Sequence, residues 1–247
     1  MERFFVSPET LATETIELDR ELSHRLRHVL RLRSGAEVVF FDGRGGEYEA
    51  VLEDVSSPVR ARVLLQRDGL PEAKTRLVLY QSLIKGDRFD WVLEKGTEIG
   101  VASFVPLVSR RSVMRPRGDD SSRAARWRRI VVEAAEQCGR CVLPELAPVA
   151  NLDEAFDSAP GIRFLPWEEE RVLGLRTVLR QALNEGAGPP EVSLFIGPEG
   201  GFTREEVERA GGAGVKVVSL GERILRSETA GIVAAAAVLW ELGELGA

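Results

Sequence analysis

Apolar residues come in short runs through the first seventy positions of the chain. Residues 3–6, 15–18, 37–41, 47–53 and 59–66 are each brief and rich in β-branched or aromatic side chains, which predicts five strands. One helical stripe interrupts them, with Leu22, Leu26, Val29 and Leu30 on its apolar face. Asp42-Gly43-Arg44-Gly45-Gly46 supplies a hairpin turn, because glycine tolerates positive φ. Residues 68–74 are polar and broken by Gly69 and Pro71, so they predict a linker.

Beyond residue 77 the pattern changes to apolar runs alternating with helical stripes. The runs at 77–83, 104–108, 162–165, 192–196 and 215–220 suit buried parallel strands. Between them, 87–100 places Phe89, Val92 and Leu93 on one stripe, with Gly100 as a stop. A second stripe in 122–139 carries Trp127, Ile130, Val131, Ala134 and Cys138. Residues 231–242 are apolar almost all round, as in a helix buried on every side. The expectation is an α/β chain in two parts: a β-rich domain over 1–70 and a parallel α/β domain over 75–247.

Composition narrows the setting. With 44% hydrophobic residues the chain can bury a substantial core, and its two cysteines exclude a disulfide framework. No basic-then-apolar leader opens it, and its longest apolar stretch is too short for a bilayer. A soluble, cytoplasmic protein is expected, without membrane partner. A net charge of −6 argues mildly against nucleic-acid binding. Against that, lysine occurs only at 74, 85, 95 and 216, so arginine carries nearly all the positive charge. Arginine suits bidentate phosphate contacts, although genomic bias explains such usage equally well.

The chemistry points to two loops, each following a late strand and opening into a helix. The first is Gly197-Pro198-Glu199-Gly200-Gly201, followed by Thr203 and Glu206 at capping-box spacing. The second runs from Leu220 to Ala230. In an open parallel sheet, ligands settle outside the carboxyl ends of strands, so two such loops can wall one pocket. The first loop is neither a Walker loop nor a dinucleotide fingerprint, which counts against a nucleotide-dependent oxidoreductase. Glu199 would repel a pyrophosphate and suits a cationic or donor-rich ligand. His24 and His28 with Cys138 and Cys141 have the composition of a zinc site, but the two pairs fall in different predicted domains and in reversed finger order. Cys138 fits its helix stripe, no strand immediately precedes the C-x2-C pair, and no metal is expected.

These loops closely resemble the C-terminal signature of the bacterial 16S ribosomal RNA uracil-N3 methyltransferases, members of the SPOUT superfamily of knotted methyltransferases. The resemblance extends over nearly the whole chain. It takes in Arg3-Phe4-Phe5, His28-Val29-Leu30-Arg31 with Gly35, Lys85-Gly86-Asp87-Arg88, Glu94-Lys95-Gly96-Thr97-Glu98 and Glu133 to Arg140. One position departs: Ser109-Arg110-Arg111-Ser112 carries arginine at 110, where the family has glutamate.

The resemblance implies an N-terminal PUA-like β-barrel for RNA and a C-terminal SPOUT-type parallel α/β domain tied in a trefoil knot, a topology general rules would not predict. It implies a homodimer, S-adenosylmethionine as methyl donor, and 16S ribosomal RNA or the small ribosomal subunit as partner. Donor-binding candidates are Leu165, Ile196, Gly197, Glu199, Gly200, Leu220, Gly221, Leu225, Thr229 and Ala230. RNA-binding candidates are Arg3, His28, Arg31, Lys85, Arg88, Lys95, Arg111 and Arg140. Transfer to N3 needs a base or stabilisation of a developing uracil anion. Arg226 is the candidate for the anion, and Glu199 for orienting the donor or accepting the proton. A surface pair of Arg226 with Glu222 or Glu228 is the bland reading. A non-catalytic RNA-binding assembly factor is the rival function, but it leaves the paired loops unexplained.

Overall fold

The computed structural model describes residues 1–114, 121–184 and 191–246. By contacts it divides into unit 1, residues 1–72 with 132–143, and unit 2, residues 73–131 with 144–247.

Unit 1 opens with β1 (Arg3–Phe5) and β2 (Thr15–Glu17), then α1 (Arg20–His24), capped by the Asp19 carboxylate on the Leu22 amide at 2.8 Å. A π-helical turn over Arg25–Val29 continues α1. Its wider turn carries one more residue than an α-helical turn, and this displaces Val29 from the expected apolar face. Val29 is 65% exposed, while Leu22 and Leu26 are buried and Leu30 packs on the core. There follow β3 (Glu37–Phe41), β4 (Gly46–Asp54) and β5 (Arg60–Asp68). In the hairpin between β3 and β4, Asp42 Oδ1 accepts the Arg44 and Gly46 amides, and Gly43 and Gly45 take positive φ. The sheet order is β1-β3-β4-β5-β2, parallel at β1/β3 and antiparallel elsewhere.

Polar groups inside unit 1 are matched. Glu47, nearly buried, lies between Arg3 at 2.5 Å and Arg67 at 2.6 Å. Burial pushes its carboxyl up, but the two guanidinium groups together prevail and hold it below its ordinary value. Glu136 accepts from Arg25 and from the Phe5 amide; there burial prevails and the carboxyl is raised.

Unit 2 contains β6 (Arg76–Ser82), α2 (Arg88–Ile99), β7 (Ser103–Val108) and α3 (Ser121–Cys138), whose residues from Val132 onward belong to unit 1. It continues through β8 (Glu145–Leu146), β9 (Ala150–Asn151), α4 (Leu152–Ser158), β10 (Ile162–Pro166) and α5 (Leu175–Leu183). It ends with β11 (Glu191–Ile196), α6 (Arg204–Gly212), β12 (Lys216–Val218) and α7 (Ser227–Glu241). All strands are parallel, in the order β12-β10-β11-β6-β7-β8, with β9 also on β7. Tyr80 of β6 stacks on Phe195 of β11 at 4.5 Å, within a core that also holds Phe156.

Several elements depart from the sequence reading, among them α4 and the two-residue strands β8 and β9, which it lacks. Helix α5 is absent from it, although Leu175, Val178, Leu179 and Ala182 stand at helical spacing and are buried. Helix α7 is not buried on every side in the single chain: Val233, Ala237 and Trp240 form an open apolar stripe, with Trp240 64% exposed. Among the described residues no helix is long and apolar enough to cross a membrane.

Candidate active site

Three connections leave the carboxyl ends of neighbouring strands and wall one cavity of about 580 Å³. That is a volume suited to a small organic ligand. The connections follow β10, β11 and β12, and the first turn of α7 closes the fourth side.

The loop after β11 turns at Pro198, whose carbonyl accepts the Gly201 amide at 2.9 Å. Gly201 has φ +67°, so the backbone there requires glycine; a Cβ would lie 2.4 Å from Glu168 Oε1, the mobile end of an exposed side chain. The turn then enters α6 through the expected capping box between Thr203 and Glu206. Two arginines hold this loop from outside. Arg111 donates to the Gly200 carbonyl at 2.7 Å, and Arg88 lies 3.4 Å from Glu199 Oε1, which also accepts the Lys85 amide at 3.0 Å. Glu199 therefore fastens its loop to the turn before α2.

The loop after β12 bends at Gly221, φ +114°, where the Ser219 hydroxyl accepts the Gly221 amide. It delivers Arg226 to the N-cap of α7. Arg226 lines the cavity, is exposed, and forms no ion pair among the described residues. The surface pairing with Glu222 or Glu228 is thus absent. Next to it, buried Ser227 donates to the Gly197 carbonyl and accepts from Gln81 Nε2 at 2.9 Å, which ties α7 to β6 and to the first loop. Gly231 lets this contact form, since a Cβ there would meet Gln81 Oε1 at 2.6 Å.

Of the residues expected to hold a methyl donor, Ile196, Gly197, Glu199, Leu220, Gly221, Leu225 and Ala230 line the cavity together with Arg226. Leu165 does not; it points into the core under the sheet and is fully buried. Gly200 faces Arg111 instead, 3.3 Å from its Cβ, and Thr229 lies in the first turn of α7 outside the cavity lining. Arg88 and Arg111, expected on RNA, serve the glycine-rich loop. Trp167, Glu168 and Arg171 were not anticipated. They follow β10 as the two chosen loops follow their strands, so the same rule about carboxyl ends identifies them.

The other RNA candidates separate by their partners. Arg3 and Arg140 are engaged inside unit 1, Arg140 at 8% exposure with Glu72 at 2.6 Å. Their cations balance internal carboxylates. Lys95 is held by Glu94 and Glu98, which push its ammonium up to about 12. The Lys85 side chain is exposed without an ion pair among the described residues, as are His28 and Arg31 in unit 1. Arg110 faces Glu205 at 3.8 Å, and its amide donates to Glu206. Cys138 and Cys141 lie in unit 1 with His24 and His28, but no group of three or more His, Cys, Asp or Glu among the described residues is placed to hold a metal.

Comparison with known proteins adds three findings. Residues 71–239 match the RNA methyltransferase domain family and residues 18–61 the RNA methyltransferase PUA domain. The chain is 34% identical over 236 residues to ribosomal RNA small subunit methyltransferase E of Synechocystis, covering 96% of this chain and 76% of that protein. Among solved structures it is similar to a Legionella pneumophila methyltransferase with bound SAM (TM-score 0.86, 30% identity, 96% of each chain). It is also similar to ribosomal RNA small subunit methyltransferase E of Neisseria gonorrhoeae bound to S-adenosyl methionine (TM-score 0.83, 31% identity, 97% of each chain).

Proposed function

Because the chain belongs to the RNA methyltransferase family, with a methyltransferase domain and a PUA domain, we propose that it transfers the methyl group of S-adenosylmethionine to N3 of a uridine in 16S ribosomal RNA. The observation that carries this reading is the three-loop cavity with Arg226, free of any ion pair among the described residues, on its wall. A non-catalytic assembly factor has no use for such a cavity.

The donor fits the residues present. Ile196, Leu220, Leu225 and Ala230 offer an apolar lining for a flat base, the glycine turns bring backbone close, and carboxylates and guanidinium groups stand at the rim for its charged end. When bound, S-adenosylmethionine supplies a methyl group already electrophilic, so the protein contributes position and charge. Ser227 and Gln81 fix the base of the cavity, while Arg111, Arg88 and Glu199 fix its glycine-rich wall. Arg226 meets the negative charge that develops on a uracil oxygen as the N3 proton leaves. With one carboxylate oxygen holding the Lys85 amide and facing Arg88, Glu199 orients the wall rather than the proton.

Residues 1–70 act as the PUA-like RNA-binding module and 75–247 as the SPOUT methyltransferase domain. His28 and Arg31 belong to the first, and Lys85 to the second, as RNA contacts. Closure of the five-strand sheet into a barrel belongs to this reading. So does a trefoil knot, supported by β11 lying between β6 and β10 and by α7 returning against α2, β6 and β11 after β12. The open stripe Val233, Ala237, Trp240 supports a homodimer in which a second copy covers it, and a cytoplasmic location belongs to the same reading. Calorimetry with S-adenosylmethionine, followed by methyl transfer to naked and assembled small-subunit RNA with mass mapping of the product, tests the whole. Modification at any atom other than uridine N3 refutes the site specificity; absence of donor binding refutes the activity.

A further inference from the structure

Three consecutive glutamates follow β10, and two of them have local work. Glu169 pairs with Arg204 at 2.8 Å. Glu170 Oε1 accepts the Val172 and Leu173 amides at 2.7 and 3.0 Å, and these bonds fold the loop and hold the carboxyl below its ordinary value. Glu168 alone lines the cavity, and it alone has neither an ion pair nor a hydrogen bond among the described residues. Its carboxylate lies beside Gly201, where a Cβ would come within 2.4 Å of Oε1. The other carboxylate of the glycine-rich wall, Glu199, is already taken by Arg88 and the Lys85 amide.

Resting on the donor assignment above, we propose that Glu168 is the charge-selecting residue of the cavity, facing the sulfonium and favouring the charged methyl donor over its neutral demethylated product. A sulfonium has no N–H to donate, so hydrogen-bond geometry cannot recognise it. Its positive charge can attract a carboxylate, and Glu168, exposed on the cavity wall and without an ion pair among the described residues, supplies one. The ammonium and carboxylate of the ligand are common to donor and product and give no discrimination. Preference for the charged form also keeps the product from occupying the site after transfer.

Calorimetry on the full chain, with S-adenosylmethionine and S-adenosylhomocysteine in parallel, tests this. Glu168→Gln keeps size and removes charge. It should weaken the donor about tenfold, or about 1.4 kcal/mol, and shift the product by less than twofold, with an unchanged melting temperature. Glu169→Gln, which removes a neighbouring charge paired outside the cavity, should alter neither ligand. Equal weakening of both ligands, no weakening of either, or the same selective loss in Glu169→Gln overturns the proposal. Wild-type protein that binds neither ligand overturns the donor assignment itself, a separate result.

Discussion

In unit 1 Glu47 lies between Arg3 and Arg67, Glu136 on Arg25 and Glu72 on Arg140, whereas in unit 2 Glu168, Glu222, Arg223 and Arg226 line one cavity without an ion pair among the described residues. Half-buried ion pairs of the first kind cost more to break than they contribute when whole, because breaking one strands a partly buried charge. They explain charged residues without any ligand. Unpaired charges lining a concavity are not held by the fold and stay available to what binds there. The same contrast recurs within unit 1, where Arg25 is paired but His28 and Arg31, a turn further on, are not. Pairing, more than position in sequence, separates the scaffold's charges from those available to a ligand.

Arg226→Ala tests that distinction where the effect should be largest. If the guanidinium meets charge that exists only in the transition state, turnover should fall a hundredfold or more, on the order of 3 kcal/mol. Donor affinity and melting temperature should hold, because the fold gives Arg226 no partner to lose. Lysine should restore part of the rate, keeping charge without the planar fork. Single-turnover methyl transfer reads this directly. Parental turnover in the alanine variant would remove Arg226 from the chemistry.

Gly201→Ala should have a smaller and different effect. The substitution forces a Cβ at φ +67° and drives it into the Glu168 carboxylate. The backbone cost is about 1–2 kcal/mol, and donor affinity should drop roughly tenfold as the wall shifts. Gly200→Ala meets only Arg111 side-chain carbon, at 3.3 Å and without a positive φ, and should be milder in both respects. If the two variants behave alike, the left-handed turn does not shape the cavity.

How far the sequence carried these assignments depends on the kind of signal. Strands with apolar runs of five or more, and the Thr203–Glu206 cap, are local patterns and were legible. The two glycine-rich loops were legible because strand, turn and helix follow in order. Trp167 to Arg171 form the third wall only because β10 lies between β11 and β12, and strand order is not written in any local pattern. Likewise Arg3 and Arg140 look like solvent-facing cations in sequence. Their partners Glu47 and Glu72 lie 44 and 68 residues away, and only the folded unit brings them together. Val29 failed for a smaller reason, since a π turn breaks the 3.6-residue period on which helical stripes are read.

The smallest effect belongs to Arg31, and it is the most discriminating test of unit 1. Among the described residues it is the only non-glycine with positive φ, +55°, and it directly follows the π-helical turn and Leu30. Left-handed backbone costs an ordinary residue about 1–2 kcal/mol, which glycine would avoid. Part of that gain is offset by glycine's greater freedom when unfolded. Arg31→Gly should therefore raise stability by on the order of 0.5–1 kcal/mol. If the arginine is kept for a phosphate, the same variant should bind small-subunit RNA more weakly, with the salt slope reduced by about one. Arg31→Ala separates the two effects, because it loses the cation but keeps the strained backbone. It should lose RNA affinity equally and gain no stability. Denaturant melts of both variants, set beside RNA titrations over a salt series, give the answer. Stability that rises in the glycine variant while RNA binding stays at the parental level would leave the strain of Arg31 without a ligand to explain it.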